Sequence, residues 1–289
     1  MHGCTIGVLA AFMALPVFCQ RLETRPAFEL ASIKLCIGGE PRGSLSASPG
    51  RLSVPCFGLY RLIQDAYQVY ADGTNVFMIQ PPSATPIDGF PHQMSSDRYS
   101  IDAKTDSPRS VGMMRGLMMQ RLLEERFHLR IHRETREVPV YIMTVAKGGP
   151  KLKVTTPGSC DETEVTDIAR LLAEVAVSKR RCGILTPPTI NGTHFVLDEH
   201  GITVAAFSKV FNIGGLPVID NTGITGAFDI HLEWESSTEE STPDTGAPKE
   251  SPDTAIISSI RKQLGLQLRA GKGPREFFII DHLERPSAN

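Results

Sequence analysis

The stretch Gln120–Val145, QRLLEERFHLRIHRETREVPVYIMTV, decides how the chain is read. It opens as the end of a helix. Phe127, Leu129 and Ile131 then alternate with His128, Arg130 and His132, the period-two pattern of a strand with one wet face. A polar turn over Arg133–Glu137 is expected to lead into a second strand, Val138–Val145, closed by Lys147-Gly148-Gly149-Pro150. A looser copy returns at Ile256–Glu284, IISSIRKQLGLQLRAGKGPREFFIIDHLE. Laid on the first without a gap, it puts Leu123 on Ile260, Phe127 on Leu264 and Leu129 on Leu266. The same alignment puts Ile131 on Leu268, Val140 on Phe277 and Ile142 on Ile279.

Working outward, RYSIDAK (Arg98–Lys104) and AFDIHLEW (Ala227–Trp234) are amphipathic strands, with Tyr99 and Ile101 corresponding to Phe228 and Ile230. Shorter strands are expected at Ala27–Leu35, Arg51–Val54, Phe195–Leu197 and Leu216–Asp220. Leu59, Leu62, Ile63, Ala66 and Tyr67 form one helical stripe. Gly112–Phe127 reads as a Met-rich helix, its methionines core rather than binding surface. Helices are also expected at Glu164–Val177 and around Val204, Phe207 and Phe211. A last helix starts at an Asp253 N-cap and is stopped by Gly265. Residues 71–96 read as a long loop, and 235–253 carry no large apolar residue and read as a solvated one. Each half thus runs strand, helix, strand, then helix, strand, hairpin, strand. The expected fold is α+β: two similar halves of mostly antiparallel sheet with helices on one face.

Composition narrows the compartment and the partners. The 289 residues are 41% hydrophobic and 21% charged, with a formal net charge of −2. No global field draws the molecule to nucleic acid or to an acidic membrane face. Cys4–Phe18 is apolar and uncharged. At about 15 residues it suits a signal-peptide core better than a membrane span, which needs roughly 20. The expected organisation is a leader over 1–19, a first half over 20–153, a disulfide-bridged connector over 154–194 and a second half over 195–289. The exported chain would be periplasmic or extracellular, with no membrane span after cleavage. Lipidation of Cys19 is left open, although Phe18 is bulky for such a signal.

Cleavage leaves Cys36, Cys56, Cys160 and Cys182, a set for two disulfides in an oxidising compartment, with three connectivities open. Nearest-neighbour pairing would close two loops of about 20 residues, each worth about 3 kcal/mol in the chain-entropy account. Without a C-x-x-C pair, zinc is the poorer reading.

Chemistry is sparse. The chain has no nucleophile elbow, phosphate loop or dinucleotide fingerprint. The Gly-Gly pairs read as turns, and no catalytic residue, cofactor or metal is assigned. His128 and His132 would share a metal on a helix, but four residues along a strand separate them by about 13 Å. Asp102, Asp229 and Glu233 read as solvated strand carboxylates. The densest basic stretch, Arg121, Arg126, Arg130, Arg133 and Arg136, is interleaved with Glu124, Glu125, Glu134 and Glu137 and lacks the stacking aromatics of a nucleic-acid groove. His128, Arg130 and His132 remain as a candidate binding surface for a small ligand or an envelope protein. Asn191-Gly192-Thr193 is a glycosylation sequon.

FELASIK, DRYSIDAK, LLEERFHLRIHRETREVPVYIMTVAKGGPKL, PVIDNTGITGAFDIHLEW and IIDHLERPSAN together resemble a soil-associated family of exported bacterial proteins of unknown function. The resemblance spans nearly the whole chain after the leader. It implies export, and it implies kinship with a domain that is also appended to antibiotic-sensor-type membrane metallopeptidases. It carries over no activity and no catalytic residue. The chain departs from the family pattern at Phe77–Gln93, and its helix after Val204 is short. Ile202–Leu232 is also similar, over a short span, to the small βαβ modules of secretins and outer-membrane receptors. The resulting expectation is an exported, non-enzymatic ligand- or protein-binding domain; the alternative is a secreted hydrolase with an unrecognised site.

Overall fold

The computed structural model describes residues 25–37, 45–71, 85–176, 180–235 and 252–286; the expected leader and most of the 235–253 loop lie outside them. The first strand, β1 (Leu30–Leu35), is followed by a hairpin of β2 (Ser46–Ser48) and β3 (Arg51–Gly58). Helix α1 (Leu59–Gln64) runs on through a π-helical turn, Asp65–Val69. The chain returns through β4 (Ile87–Asp88) and β5 (Arg98–Lys104), the amphipathic strand expected there. β5 is inserted between β1 and β3, all antiparallel, giving the order β1-β5-β3-β2. Its apolar residues Tyr99, Ile101 and Ala103 are all at most 1% exposed. Burying side chains of this size stabilises the fold by about 1.5–3 kcal/mol each for the larger ones.

The Met-rich segment is two helices, α2 (Val111–Arg115) and α3 (Leu117–Arg126), broken at Gly116. The break is a close approach: a Cβ at Gly116 would lie 1.9 Å from the Tyr70 carbonyl oxygen at the end of the π turn. Beside it, Arg115 donates to Asp65 at 2.6 Å and stacks on the Tyr70 ring at 4.2 Å, tying the two helical segments together. Met114, Met118 and Met119 are core residues.

No hairpin turn forms at Arg133–Glu137: β6 (Arg130–Val145) is one continuous 16-residue strand. After β7 (Lys153–Val154), α4 (Ile168–Ala176), β8 (Thr189–Asn191) and β9 (His194–Ile202), the chain forms α5 (Val204–Ser208), β10 (Asn212–Ile213), β11 (Leu216–Asp220) and β12 (Phe228–Glu235). It then forms α6 (Pro252–Ser259), which continues as a π turn to Leu264 and stops at left-handed Gly265. Here too the expected hairpin is replaced by one strand, β13 (Leu266–His282). β6 and β13 pair with each other, from Leu266↔Val145 to His282↔Arg130. Local polarity suggested turns, but the inward-facing backbone groups of each polar midsection pair with those of the other, so neither strand has to fold back. Pro139 and Pro274 are tolerated within these strands because each faces away from the β6–β13 ladder, where no N–H is needed.

The ribbon of β6 and β13 is the spine of a five-stranded sheet, β10-β11-β6-β13-β4, in which β11 and β4 lie parallel to their long neighbours. A third sheet, β7-β12-β9-β8, is antiparallel throughout. The architecture is therefore α+β, with three mostly antiparallel sheets. Two cores sit along one face of the ribbon. The first joins Leu52, Val54, Ile63, Met114, Leu123 and Phe127 to Ile280. The second joins Leu197, Phe207, Ile230, Leu232 and Ile260 to Met143 and Leu268. On the opposite face Gly273 allows Ile219 and Val140 to lie across the strand; a Cβ there would meet Ile219 at 2.6 Å.

Two disulfides close the structure, Cys36–Cys56 and Cys160–Cys182, spanning 20 and 22 residues. Both end beside a strand irregularity: Cys56, at φ 40°, lies in the β3 bulge, and Gly201, at φ 63°, lies against Cys182. Among the described residues no helix is long and apolar enough to cross a membrane.

Candidate functional site

The residues flanking Arg130 build an open cleft where the ribbon leaves the first core. α3 ends at Phe127, whose N–H still bonds Leu123 at 3.0 Å. The chain then turns sharply through His128 at φ 49° before β6 begins. The expected strand over Phe127–Ile131 therefore starts only at Arg130, and His128 is a left-handed helix cap rather than a strand residue. Its counterpart in the gapless alignment, Gly265, has φ 65° and is the residue type such a cap favours. A histidine held there carries backbone strain of about 1–2 kcal/mol.

The cleft has a volume of about 670 Å³ and is lined by Tyr67, Glu124, His128 to Ile131, Asp281, His282 and Glu284. Tyr67 comes from the π turn, its ring edge-on to Phe278 at 6.1 Å. Its hydroxyl donates to Glu124 at 2.9 Å. Burial, reinforced by the Glu124 charge, pushes the phenol far above its ordinary value, so it remains a donor. Arg25 holds both oxygens of Glu124, at 2.6 and 3.1 Å. His282 Nε2 lies 2.8 Å from Glu284, and His132 Nδ1 lies 2.8 Å from Asp281. All three carboxylates in the lining are thus engaged. Arg130 and His128 are exposed and have no side-chain partner among the described residues.

Two of the three residues singled out from sequence, His128 and Arg130, line this cleft, and His132 reaches it through Asp281. Tyr67, Glu124, Asp281, His282 and Glu284 were missed. Tyr67 read as one more apolar position on a helical stripe, Glu124 as a charge balancing the neighbouring arginines, and Asp281, His282 and Glu284 were not singled out. Nothing local marks Asp281, His282 and Glu284; antiparallel pairing of the two long strands brings the end of the second beside the start of the first.

The strand carboxylates lie elsewhere. Asp102 is exposed on β5, opposite Ser32 and Ser53. Asp229 accepts from Thr155 at 2.9 Å and lies 3.7 Å from His200. Glu233 lies 3.0 Å from His231, which also faces Asp198 at 3.6 Å. Gln263 bonds the backbone N–H and carbonyl of Glu233 and so covers the edge of β12. Among the described residues no group of three or more His, Cys, Asp or Glu is placed to hold a metal ion. One carboxyl is fully enclosed: Glu199 is 1% exposed and accepts from the Thr186 N–H at 2.8 Å and its hydroxyl at 3.2 Å. Burial pushes it up to about 7.

Fold and cleft define a disulfide-bridged α+β protein with an open, polar, histidine-containing surface cleft. The chain belongs to the family of proteins of unknown function designated DUF3738, whose pattern matches residues 61–283. The match contains the whole ribbon and every lining residue of the cleft except Glu284. No curated protein and no solved structure matches the chain.

Proposed function

We propose that the chain is an exported, non-enzymatic binding domain and that the cleft around His128 and Arg130 is its ligand surface. The observation that carries this reading is the backbone of His128. A non-glycine residue occupies a left-handed cap, and its side chain opens into a cleft whose carboxylates are already engaged while two basic groups are not. Strain kept where glycine would relieve it points to a role for the side chain. Export is supported by two disulfides, which persist in oxidising compartments, and by the apolar leader-like run at 4–18.

The proposal includes an origin in two similar halves, with boundaries near 20–153 and 195–289. Its support is the parallel build of the two four-stranded sheets, β1-β5-β3-β2 and β7-β12-β9-β8. The ribbon adds to it. The alignment that equates Ile131 with Leu268 also equates Met143 with Ile280, and the ladder pairs Ile131 with Ile280 and Met143 with Leu268.

Thermal-shift screening of the purified chain against cell-wall fragments, peptides and metabolites tests the binding role. At least one class should raise the melting temperature of the wild type and leave Arg130→Ala and His128→Ala unmoved. A protein partner would be captured from envelope extract by the wild type and lost with the same variants. Flat melting curves together with no variant-sensitive capture would sink the reading.

A further inference from the structure

We propose that the outer edge of β6 and the cleft at its start form one site for the C-terminal segment of a polypeptide. The segment binds as an added antiparallel strand, with its free carboxylate beside Arg130 and His128. The inference rests on the cleft reading above and supplies its ligand class.

Strand addition requires a row of unpaired backbone donors and acceptors. The Asn221 N–H donates to the Met143 carbonyl at 2.9 Å, so the Met143 peptide groups face β11 and point away from β13. The pairing of β6 with β13 is unbroken from Ile131 to Val145. Peptide groups alternate in direction along a strand, so Ile131, Arg133, Thr135, Glu137, Pro139 and Tyr141 face the same way as Met143. Pro139, with no N–H to give, fits that outward set. β11 pairs with this edge only at Tyr141–Met143. The outward N–H groups of Ile131, Arg133, Thr135 and Glu137 have no partner among the described residues. They form an open edge of about 20 Å, room for roughly five or six residues of extended chain.

Charge sets the direction of the added strand. Antiparallel to β6, its C-terminus lies at Ile131, where the edge meets the cleft; parallel, its terminal ammonium would lie there instead. Glu124, Asp281 and Glu284 are already paired, whereas Arg130 and His128 are not, so the site suits an anion. A terminal carboxylate opposite Ile131 takes the outward Ile131 N–H with Arg130 alongside. The ligand residue two before the terminus then stands across from Arg133, on the same face; Arg133 faces Glu276 at 3.3 Å with more than half of its side chain exposed, so an Asp or Glu that shares this cation is favoured there. The terminal side chain shares a face with Ile131, near Tyr67, and is favoured as apolar.

The test is fluorescence anisotropy of an N-terminally labelled Ala-Ala-Glu-Ala-Leu peptide titrated with the purified chain, beside its C-terminal amide. The acid is expected to bind. The amide, Arg130→Ala and Thr135→Pro, which deletes one outward donor, are each expected to weaken binding by at least about tenfold. Amide shifts in two-dimensional NMR on adding the peptide should fall on Ile131, Arg133 and Thr135, a readout that holds even if Thr135→Pro folds poorly. Equal binding of acid and amide, no binding, or shifts confined to other strands would overturn the proposal. A small molecule that loses affinity in His128→Ala, keeps it in Thr135→Pro and resists displacement by the peptide would also end it, and would leave the cleft reading standing.

Discussion

Replacing Glu199 by Gln is expected to make the protein more stable at neutral and alkaline pH and to remove part of its pH dependence. The carboxyl is 1% exposed and accepts from the Thr186 N–H and hydroxyl. Burial raises it to about 7 from an ordinary value of 4.5. Because the folded value is the higher one, the folded protein holds a proton that the unfolded chain releases between those two values. The group's stabilising contribution is complete below about pH 4.5 and is lost as pH rises through 7. The difference amounts to about 3 kcal/mol, at 1.36 kcal/mol per pH unit. The amide of Glu199→Gln would keep an acceptor for Thr186 and never ionise. Urea unfolding of both proteins at pH 5 and pH 8 measures the effect as a double difference, which cancels the surface histidines common to both. The variant should gain about 2–3 kcal/mol on the wild type between the two pH values. A double difference near zero, or a variant equally weakened at both, would show that Glu199 is hydrated or paired and that burial does not govern its titration.

Exchanging the two helix caps should have opposite consequences. His128→Gly relieves a left-handed histidine and should stabilise by about 0.5–1 kcal/mol after the greater unfolded-state freedom of glycine is allowed for, while weakening ligand binding. Gly265→Ala should destabilise by several times that amount, because its Cβ would lie 2.2 Å from the Gly149 carbonyl oxygen; thermal melts of both variants decide the point. Non-reducing peptide mapping of the chain expressed in an oxidising compartment should recover Cys36–Cys56 and Cys160–Cys182. Removing either bridge should cost about 3 kcal/mol in urea unfolding, given loops of 20 and 22 residues.

The alternating strands at 98–104 and 228–235, the helix stop at Gly265 and the four bridging cysteines were all legible in the chain, because each rests on a period, a cap or a residue type. The cleft was half legible. His128 and Arg130 stand out locally as basic residues among alternating apolar ones. Glu124 and Asp281, 157 positions apart, meet only because β6 and β13 pair along their full length.

Sequence alone determined which segments could be strand or helix, since hydrophobic period and backbone preference are local properties. It also supplied the four bridging cysteines, while their pairing came from the fold. Tertiary structure decided that two polar midsections would be straight rather than turned. A turn and a paired strand satisfy the same backbone groups, and the choice between them depends on a partner more than a hundred residues away. Tertiary structure decided, too, that a histidine would occupy a left-handed cap of the kind that glycine fills at position 265.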